Sequence, residues 1–445
     1  MSYAHPSARR SVLALVAAAL IFALLPALAA AGGKGNGHSK HHAVHPAKHH
    51  HKGKSHGKSG KHHGKSHGKH HGKSHHKGKS HGKHHGHHGK PGHHHGNRGR
   101  GKAFDTMTRN LYLGANLTPA IGAGSLEAFV AANGQILREV VHNDFPTRAK
   151  GLAQEIIDKK PDLIGLQEVA LWRTGPVNFD VLTEGPSATT VRYDYLEELL
   201  VELNAGKPRY EVVVSQNEFD FEAPGDEDPE IALGPFGADL NGRLTMRDVI
   251  LARRGAGVRT WNAQGANFKA LLPAPILGGV VPIVRGWTAT DAKVRGSHPF
   301  RFVNTHLEAF NAPPPAPNFR ALQAAELVAP DGPATSSLPV VLVGDLNSDD
   351  DTVGPANQEA YNLLLAAGMV NRSTDDPFSC CLNASEIGEF DGGSVADFDH
   401  QVDHILTRDP STVLLRESLV TGLFPVNKFW NSDHAGVFSA LRFSR

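Results

Sequence analysis

Six short polar segments follow apolar, strand-like runs of the sequence, and they contain the side chains best suited to chemistry. The segments are residues 108–110, 165–168, 304–307, 344–348, 401–404 and 432–434. They supply carboxylates, side-chain amides and imidazoles, which bind divalent cations or transfer protons. One acid after one strand predicts only a capping or surface residue. Because buried strands hold side chains rigidly at a sheet edge, six such segments together predict one composite site.

The elements that must position these segments are strands mixed with helices. Strands are predicted at 104–113, 163–169, 210–215, 248–252, 300–305, 339–343, 402–407 and 435–443. Helices are predicted at 147–160, 193–203, 319–328 and 359–367. The mixture indicates an α/β or α+β domain.

Two stretches of the sequence are predicted to be loops. Residues 218–243 are rich in Asp, Glu, Gly and Pro. Residues 270–287 are instead apolar, which fits either a buried pair of strands or a hairpin that touches lipid. Burial is favoured because isolated apolar strands usually complete a core.

The order of the six segments resembles the endonuclease/exonuclease/phosphatase superfamily. This group includes pancreatic-type deoxyribonucleases, abasic-site endonucleases, inositol polyphosphate 5-phosphatases and bacterial neutral sphingomyelinases. Its most specific feature here is Gly-Asp-x-Asn at 344–347 followed by Ser-Asp-His at 432–434. The resemblance covers residues 103–445 and implies an α+β fold of two packed mixed β-sheets flanked by helices, a four-layer α/β sandwich. Arg320, Gln323 and Glu326 also resemble the family and are interpreted as helix packing.

The resemblance implies a metal-dependent phosphoester hydrolase. The transition state of that reaction spreads negative charge over phosphoryl oxygens, so catalysis mostly neutralises charge and places water in line. Glu168 would bind Mg²⁺ or Mn²⁺ with its hard carboxylate oxygens. Asn110 would help to hold that metal or the phosphate, and Asp433 would support the metal side of the site.

The resemblance also assigns five catalytic residues. Asp345 would orient or deprotonate the attacking water, and Asn347 would donate a hydrogen bond to a phosphate oxygen. His434 would contact the phosphoryl group, with its orientation and charge set by Asp403. His306 would donate a proton to the leaving group or stabilise the charged oxygens. Whether Asp345 or His434 is the base stays open at this point.

Other reactive residue types are given structural interpretations. The histidines at 142, 298, 400 and 404 are expected at the surface, and Arg109 and Tyr112 in the core or at the rim of the site. Cys380 and Cys381 are adjacent, so they close no long loop and form either a disulfide or two free thiols. The resemblance favours a structural pair.

The first 31 residues have the layout of an export signal. Arg9 and Arg10 precede an apolar run at 12–28, and small residues follow at 27–29. This arrangement predicts a cleaved signal and a secreted or periplasmic protein, with an uncleaved membrane anchor as the alternative.

Residues 32–102 form a tail built mainly of His, Gly, Lys and Ser, and disorder is predicted there because almost nothing can be buried. The tail contains 23 of the 30 histidines, so it is either a collector of Zn²⁺, Ni²⁺ or Cu²⁺ or a solvated cationic spacer. Its charge would also allow attachment to an anionic surface.

Charge divides the chain into a basic tail and an acidic body. Residues 103–445 contain 27 Lys and Arg against 44 Asp and Glu, a net charge of −17. An acidic body counts against a dedicated nucleic-acid enzyme unless the tail attracts the polyanion. The leading hypothesis is a monomeric hydrolase whose substrate is nucleic acid, a phospholipid head group, an inositol phosphate or a nucleotide. The alternative is an exported metal-binding or surface-adhering protein with an inactive enzyme domain.

Overall fold

A computed structural model of the chain describes residues 103–231, 235–294, 296–349, 355–373, 378–388, 392–409 and 413–443. The export signal and the tail predicted at 1–31 and 32–102 lie outside the described residues. Strands and helices are numbered below in chain order.

The larger sheet has eight strands from both ends of the described chain. They are β1 (Ala103–Asn110), β2 (Leu163–Gln167), β3 (Leu171–Gly175), β4 (Thr190–Asp194), β5 (Tyr210–Gly225), β6 (Leu240–Arg253), β15 (Val413–Thr421) and β16 (Gly436–Phe443). Their order is β15-β16-β1-β2-β6-β3-β4, and β5 also pairs with β6. β1 and β2 are parallel, whereas β16 runs antiparallel to β1.

The second sheet has six strands. They are β7 (Arg259–Asn267), β10 (Gly286–Lys293), β11 (Phe300–His306), β12 (Val340–Asp345), β13 (Met369–Asn371) and β14 (Asp403–Arg408), in the order β13-β14-β12-β11-β10-β7. β11 and β12 are parallel, and β14 is antiparallel to β12. A separate hairpin pairs β8 (Leu272–Ile276) with β9 (Gly279–Ile283).

Helices cover the outer faces of both sheets. They are α1 (Thr118–Ile121), α2 (Leu126–His142), α3 (Phe145–Lys159), α4 (Val181–Glu184), α5 (Tyr195–Leu203), α6 (Phe319–Val328) and α7 (Pro355–Ala366). Buried side chains of α2, α3 and α5 pack on the first sheet, and those of α6 and α7 pack on the second. No helix in the described part of the chain has the length and apolarity needed to cross a bilayer.

The inner faces of the two sheets share an apolar core. Phe104 of β1 stacks on Phe300 of β11 and on Phe443 of β16, with ring centroids 4.5 and 5.2 Å apart. Leu163, Ile250 and further side chains of both sheets belong to the same buried cluster. The predicted sandwich of two packed sheets flanked by helices is therefore confirmed.

A buried polar contact joins the sheets close to the ends of their strands. The Gln167 amide donates to Asn304 Oδ1 at 2.5 Å, and Asn304 Nδ2 donates to the backbone carbonyl of Leu166 at 3.1 Å. Both side chains are fully buried. Because buried polar groups must be paired, this contact favours one position of β11 over β2.

The predicted loop at 218–243 is too long at both ends. β5 continues to Gly225 and β6 begins at Leu240, so the connection between these two long antiparallel strands is limited to residues 226–239. The pairing contains bulges, which break the alternation of apolar and polar residues. Acidic residues there also pair across the strands, as Asp220 does with Arg243 at 2.6 Å.

Residues 270–287 contain the β8–β9 hairpin, and one of its faces is buried as predicted. Leu272, Ala274 and Ile283 form a small core, whereas Val280 on the other face is 67% exposed.

The longest helix in the described residues, α2, was not predicted from sequence, although the signals for it are present. The Ser125 hydroxyl caps the helix by accepting from the Ala128 N–H, and Phe129, Ile136 and Val140 form its buried face. α3 was predicted at 147–160 and is observed two residues earlier, at Phe145–Lys159.

Candidate active site

The topology brings all six polar segments to one edge of the sandwich. β1, β2, β11 and β12 end at this edge, so each delivers the residue at or just after its carboxyl end. β14 and β16 run antiparallel to their neighbours and begin at the same edge. Asp403 consequently lies opposite Asp345 in the β12–β14 register.

Asp345 lies at the centre of the site and is almost completely buried. Its Oδ2 accepts from Asn110 Nδ2 at 3.0 Å, and its Oδ1 accepts from the backbone N–H of Asn347 at 2.9 Å. The same Oδ2 lies 3.4 Å from His306 Nε2 and 3.7 Å from His434 Nε2. Burial raises the pKa of Asp345 to about 6. At neutral pH this carboxylate is ionised, yet basic enough to accept a proton.

His434 and Asp403 form a buried pair. His434 Nδ1 donates to Asp403 Oδ2 at 2.8 Å, which turns Nε2 toward Asp345. Although burial alone would lower the pKa of His434, the carboxylates of Asp403, Asp433 and Asp345 raise it well above its ordinary value. His434 is therefore an imidazolium, whose Nε2–H is available to a negatively charged oxygen.

His306 is held in the opposite charge state. Arg285 Nη1, which can only donate, lies 3.1 Å from His306 Nδ1 and 3.4 Å from Nε2. Because Nε2 also lies 3.4 Å from the acceptor Asp345 Oδ2, we assign the proton of the neutral ring to Nε2 and the acceptor role to Nδ1. Burial, and then the charges of Arg285 and His434, keep the pKa of His306 well below its ordinary value. Of the two roles expected for His306, this geometry favours a neutral hydrogen-bond donor to charged oxygens.

Two residues of the site have left-handed backbone conformations. Glu168, just after β2, has φ of 53°, and Asn347, just after β12, has φ of 48°. Non-glycine residues in this region carry about 1 kcal/mol of strain, which surrounding contacts must offset. The Leu113 N–H donates to Glu168 Oε2 at 2.7 Å, and Asn347 Nδ2 donates to the Leu307 carbonyl at 2.9 Å. These contacts hold both side chains at the sheet edge.

The donor atoms at this edge fit a hard divalent cation. Glu168 and Asp433 line the same cavity, and Glu168 Oε1 lies 4.0 Å from His306 Nε2. Burial raises the pKa of Glu168, and raises that of Asp433 to about 6. Closely spaced, half-buried carboxylates are what Mg²⁺ or Mn²⁺ coordinates, and a cation would offset their mutual repulsion.

A second set of donors lies beside the first. Ligand atoms of Asp345, Asp403 and His434 lie within 4.8 Å of one another. His434 is positively charged and already bonded to Asp403, so it repels a cation. The Glu168 and Asp433 side therefore fits a metal better than the His434 side.

A buried ion pair supports the backbone behind His434. Arg109 is fully buried, pairs with Glu155 at 3.2 Å and donates to the backbone carbonyl of His434. Glu155 also accepts from Thr421 Oγ1 at 2.5 Å and from Asn431 Nδ2 at 2.8 Å. Arg109 thus has a core role and positions the segment that contains His434.

Removing the acid of this pair should destabilise the protein strongly. In Glu155→Ala the Arg109 charge stays buried without its partner, and we expect unfolding free energy to fall by about 3 kcal/mol or more. Urea denaturation measures this change. The matched control is Glu211→Ala, because Glu211 and Arg254 form an ion pair with both side chains about half exposed; a loss below about 1 kcal/mol is expected there. Equal losses in the two variants would contradict the role given to Glu155.

One of the predictions for the other histidines is wrong. His142 and His298 are exposed, as predicted. His404 was expected to face solvent but is buried, with Nε2 3.0 Å from the Ser348 carbonyl and its ring against Tyr361. The reason is that α7 covers this face of β14. His400 is partly exposed and lies 2.5 Å from Asp399.

Cys380 and Cys381 form a disulfide next to His434. Their sulfurs lie 3.8 and 3.6 Å from His434 Nε2. The disulfide therefore borders the site, which the spacing of the two cysteines did not indicate.

Arg285 is the main site residue that sequence reasoning missed. It precedes β10, an unpredicted strand, and lies in a stretch interpreted as a loop. It is buried beside His306, with Nε 3.9 Å from Glu308. A single arginine beside an apolar hairpin gives no signal in one sequence that could have identified it.

Arg320, Gln323 and Glu326 pack α6 against the loops beside the site, as interpreted. Arg320 Nε donates to the Glu308 carbonyl at 2.7 Å, and the Glu308 N–H donates to Gln323. Glu326 accepts from the backbone N–H of Lys269. These contacts fix the chain just after His306.

Comparison with solved structures gives several distant relatives. One is an endonuclease/exonuclease/phosphatase from Bacteroides vulgatus, 16% identical over 77% of this chain and 100% of that chain, with a TM-score of 0.44. Another is a mannosyl-6-phosphatase of Bacteroides thetaiotaomicron, 14% identical over 76% and 100%, with a TM-score of 0.41. A third is a humanized TDP2 of D. rerio, 15% identical over 76% and 99%, with a TM-score of 0.42. No protein of curated function matches the chain.

Comparison with family models is more specific. Residues 132–434 match the Endonuclease/Exonuclease/phosphatase family, and this match covers more than half of the chain. The chain therefore belongs to the endonuclease/exonuclease/phosphatase family, and it is a hydrolase that uses a divalent metal to cleave phosphoesters.

Proposed function

We propose that this chain is a secreted phosphodiester hydrolase whose eight residues at the sheet edge perform the reaction. Glu168, Asp433 and Asn110 would form the metal side, and the catalytic side would contain His306, Asp345, Asn347, Asp403 and His434. Mg²⁺ or Mn²⁺ bound there would withdraw charge from the phosphoryl oxygens.

The single observation that supports this proposal most is the environment of Asp345 Oδ2. That oxygen lies within 3.0 to 3.7 Å of the Asn110 amide, the His306 ring and the His434 ring. The 3.7 Å gap to His434 Nε2 exceeds a hydrogen bond. A water or phosphoryl oxygen that contacted both atoms from one side would meet a proton acceptor and a proton donor at once.

The charge states of these groups suggest how they divide the reaction. Asp345 is the better base, because it is ionised and its pKa is raised, whereas His434 already holds its proton. As the bond from the water oxygen to phosphorus forms, Asp345 would take one proton of the water. His434 would stabilise the phosphoryl oxygens through Nε2–H, with its charge balanced by Asp403.

Three further groups complete the neutralisation of charge. Arg285 and the neutral His306 would donate hydrogen bonds to the same developing negative charge. Asn347 uses one amide N–H on the Leu307 carbonyl, and its second N–H would donate to a phosphate oxygen. The bond to the leaving oxygen then breaks, that oxygen takes up a proton from solvent, and Asp345 releases to solvent the proton that it took from the water.

The two terminal segments are the basis for proposing that the protein is secreted. The signal-like residues 1–31 would export the chain, and the tail at 32–102 would act as a metal collector, a spacer or an attachment to an anionic surface. Neither segment is needed for the chemistry proposed at the sheet edge. The same hydrolase activity is therefore expected from the chain without its tail.

A substrate screen tests the proposed function. Purified protein, with and without residues 38–100, is assayed with Mg²⁺ or Mn²⁺ and with EDTA against DNA, RNA, sphingomyelin, inositol phosphates and bis-p-nitrophenyl phosphate. We expect hydrolysis of the synthetic diester by both forms, and loss of it in EDTA.

The outcomes separate the competing functions. If the tail attracts a polymer, its deletion should raise KM on DNA or RNA and remove the salt dependence of binding, because each neutralised phosphate releases counterions. Failure to hydrolyse any diester while the tail still binds Zn²⁺ or Ni²⁺ would favour the alternative, an exported metal-binding protein with an inactive enzyme domain.

A further inference from the structure

A large cavity opens beside the metal side of the site. Its volume is about 720 Å³, within the range of roughly 300 to 1,000 Å³ that is typical of small-molecule sites. Glu168, Asp433 and Arg285 line one part of it. A molecule bound in this cavity therefore contacts the proposed catalytic groups.

The rest of the cavity is mostly apolar. Phe221 of β5 lies opposite Leu244 of β6 in the strand register, and both line the wall, as does Met246 two residues further along β6. Ile276 and Ile283 from the β8–β9 hairpin also line it. These side chains belong to different elements, so the apolar wall is a feature of the folded protein.

The charge of the cavity excludes one kind of occupant. Among the described residues that line it, Arg285 is the only cationic side chain, whereas Glu139, Glu168 and Asp433 are acidic. A groove that tracks a nucleic-acid backbone needs a row of basic residues along the phosphates. This cavity has one cation, which suits a single phosphoryl group.

From these observations we propose that the cavity binds the apolar chain of a lipid-class phosphoester, with its phosphoryl group beside Arg285 at the end of the cavity that Glu168 and Asp433 line. This inference rests on the proposed function, and it names the substrate class of the same site. The body charge of −17 supports it, because a small or lipid substrate does not depend on the general field of the protein.

A chain-length series tests this inference. The substrates are p-nitrophenyl methyl, butyl and octyl phosphates below their micelle concentrations, which share one leaving group and one charge. A fully buried methylene strengthens binding by about fourfold, so partial burial should raise kcat/KM from methyl to octyl by at least about 30-fold. Thymidine p-nitrophenyl phosphate serves as the nucleic-acid analogue, and it should be no better than the methyl ester.

Two variants connect the effect to the cavity. Phe221→Asn makes one wall polar, and it should reduce the ratio of kcat/KM for the octyl ester to that for the methyl ester by about tenfold. Ile276→Asn is a second variant of the same kind on the hairpin. Val212→Asn is the control, because Val212 lies on the same strand β5, is 40% exposed and does not line the cavity.

The possible failures are distinguishable. Metal-dependent turnover of the methyl ester without a chain-length effect would overturn the inference and leave the proposed function intact. A preference for the thymidine ester, or a chain-length effect unchanged in Phe221→Asn and Ile276→Asn, would also overturn it. No turnover of any diester would instead contradict the proposed function.

Discussion

Loss of either member of the His434–Asp403 pair should reduce kcat by about 10²- to 10³-fold, the range for removal of one donor that stabilises charge in the transition state. His434→Ala removes the imidazolium that faces the phosphoryl oxygens. Asp403→Asn keeps the shape of the side chain but removes the charge that holds Nδ1–H at 2.8 Å and keeps the ring protonated.

The two losses should not add. If Asp403 acts only through His434, the double variant loses about as much rate as His434→Ala alone, because groups that act as one unit are strongly non-additive. Steady-state kinetics on bis-p-nitrophenyl phosphate at saturating Mn²⁺ measure all four proteins. A double variant whose logarithmic loss equals the sum of the single losses would contradict the pairing.

A neighbouring histidine provides the control. His400 pairs with Asp399 at 2.5 Å, is partly exposed and lies on the segment that leads to Asp403. We expect His400→Ala to change kcat by less than about twofold, since exposed ion pairs contribute little. Circular dichroism and the urea midpoint then show whether the unmodified chain and all of its variants, His400→Ala included, are equally folded.

The site could be predicted from sequence to the extent that it lies at the ends of apolar strands. Glu168, His306 and Asp345 each stand at or just after the carboxyl end of a buried strand, so the periodicity that indicates the strand also locates the residue. Asp403 begins β14 and His434 lies just before β16, and both strands run the opposite way. The resemblance to the family then indicated that these separate segments come together in one site.

Other features depend on contacts that no local pattern records. Arg285 enters the site because β10 pairs between β7 and β11, and nothing in its own neighbours indicates that pairing. His404 is buried because α7 covers its strand. The parts of β5 and β6 within 218–243 were predicted to be loop because acidic residues paired with arginines interrupt their alternation.

The charge state of His306 also could not be predicted, and that of His434 only so far as the resemblance assigned Asp403 the role of setting it. One sequence places both at strand ends, yet His306 lies against Arg285 and His434 lies against three carboxylates. The opposite pKa directions follow from these neighbours alone. Only the folded geometry therefore separates a neutral donor from an imidazolium.

Glu168 should determine metal binding and, through it, activity. Its Oε2 is held by the Leu113 N–H, which a glutamine oxygen can also accept, so Glu168→Gln removes the charge and keeps the contact. Loss of a group that supports a metal ligand can weaken metal binding by ~100-fold. Loss of the carboxylate ligand itself should therefore weaken Mn²⁺ binding by at least that factor. Rate should fall by about 10³-fold, because a bound cation supplies several kcal/mol of transition-state stabilisation.

The most direct test of the proposed mechanism is a titration of EDTA-stripped protein with Mn²⁺. Calorimetry measures the binding of Mn²⁺, and hydrolysis of bis-p-nitrophenyl phosphate is measured in the same samples. Glu197→Gln, an exposed acid on α5, is the control and should match the unmodified chain. We expect the unmodified chain to bind Mn²⁺ and gain activity in parallel, whereas folded Glu168→Gln should do neither at the same concentrations. Full hydrolysis by the EDTA-stripped chain, or unchanged Mn²⁺ activation of Glu168→Gln, would contradict the proposed mechanism.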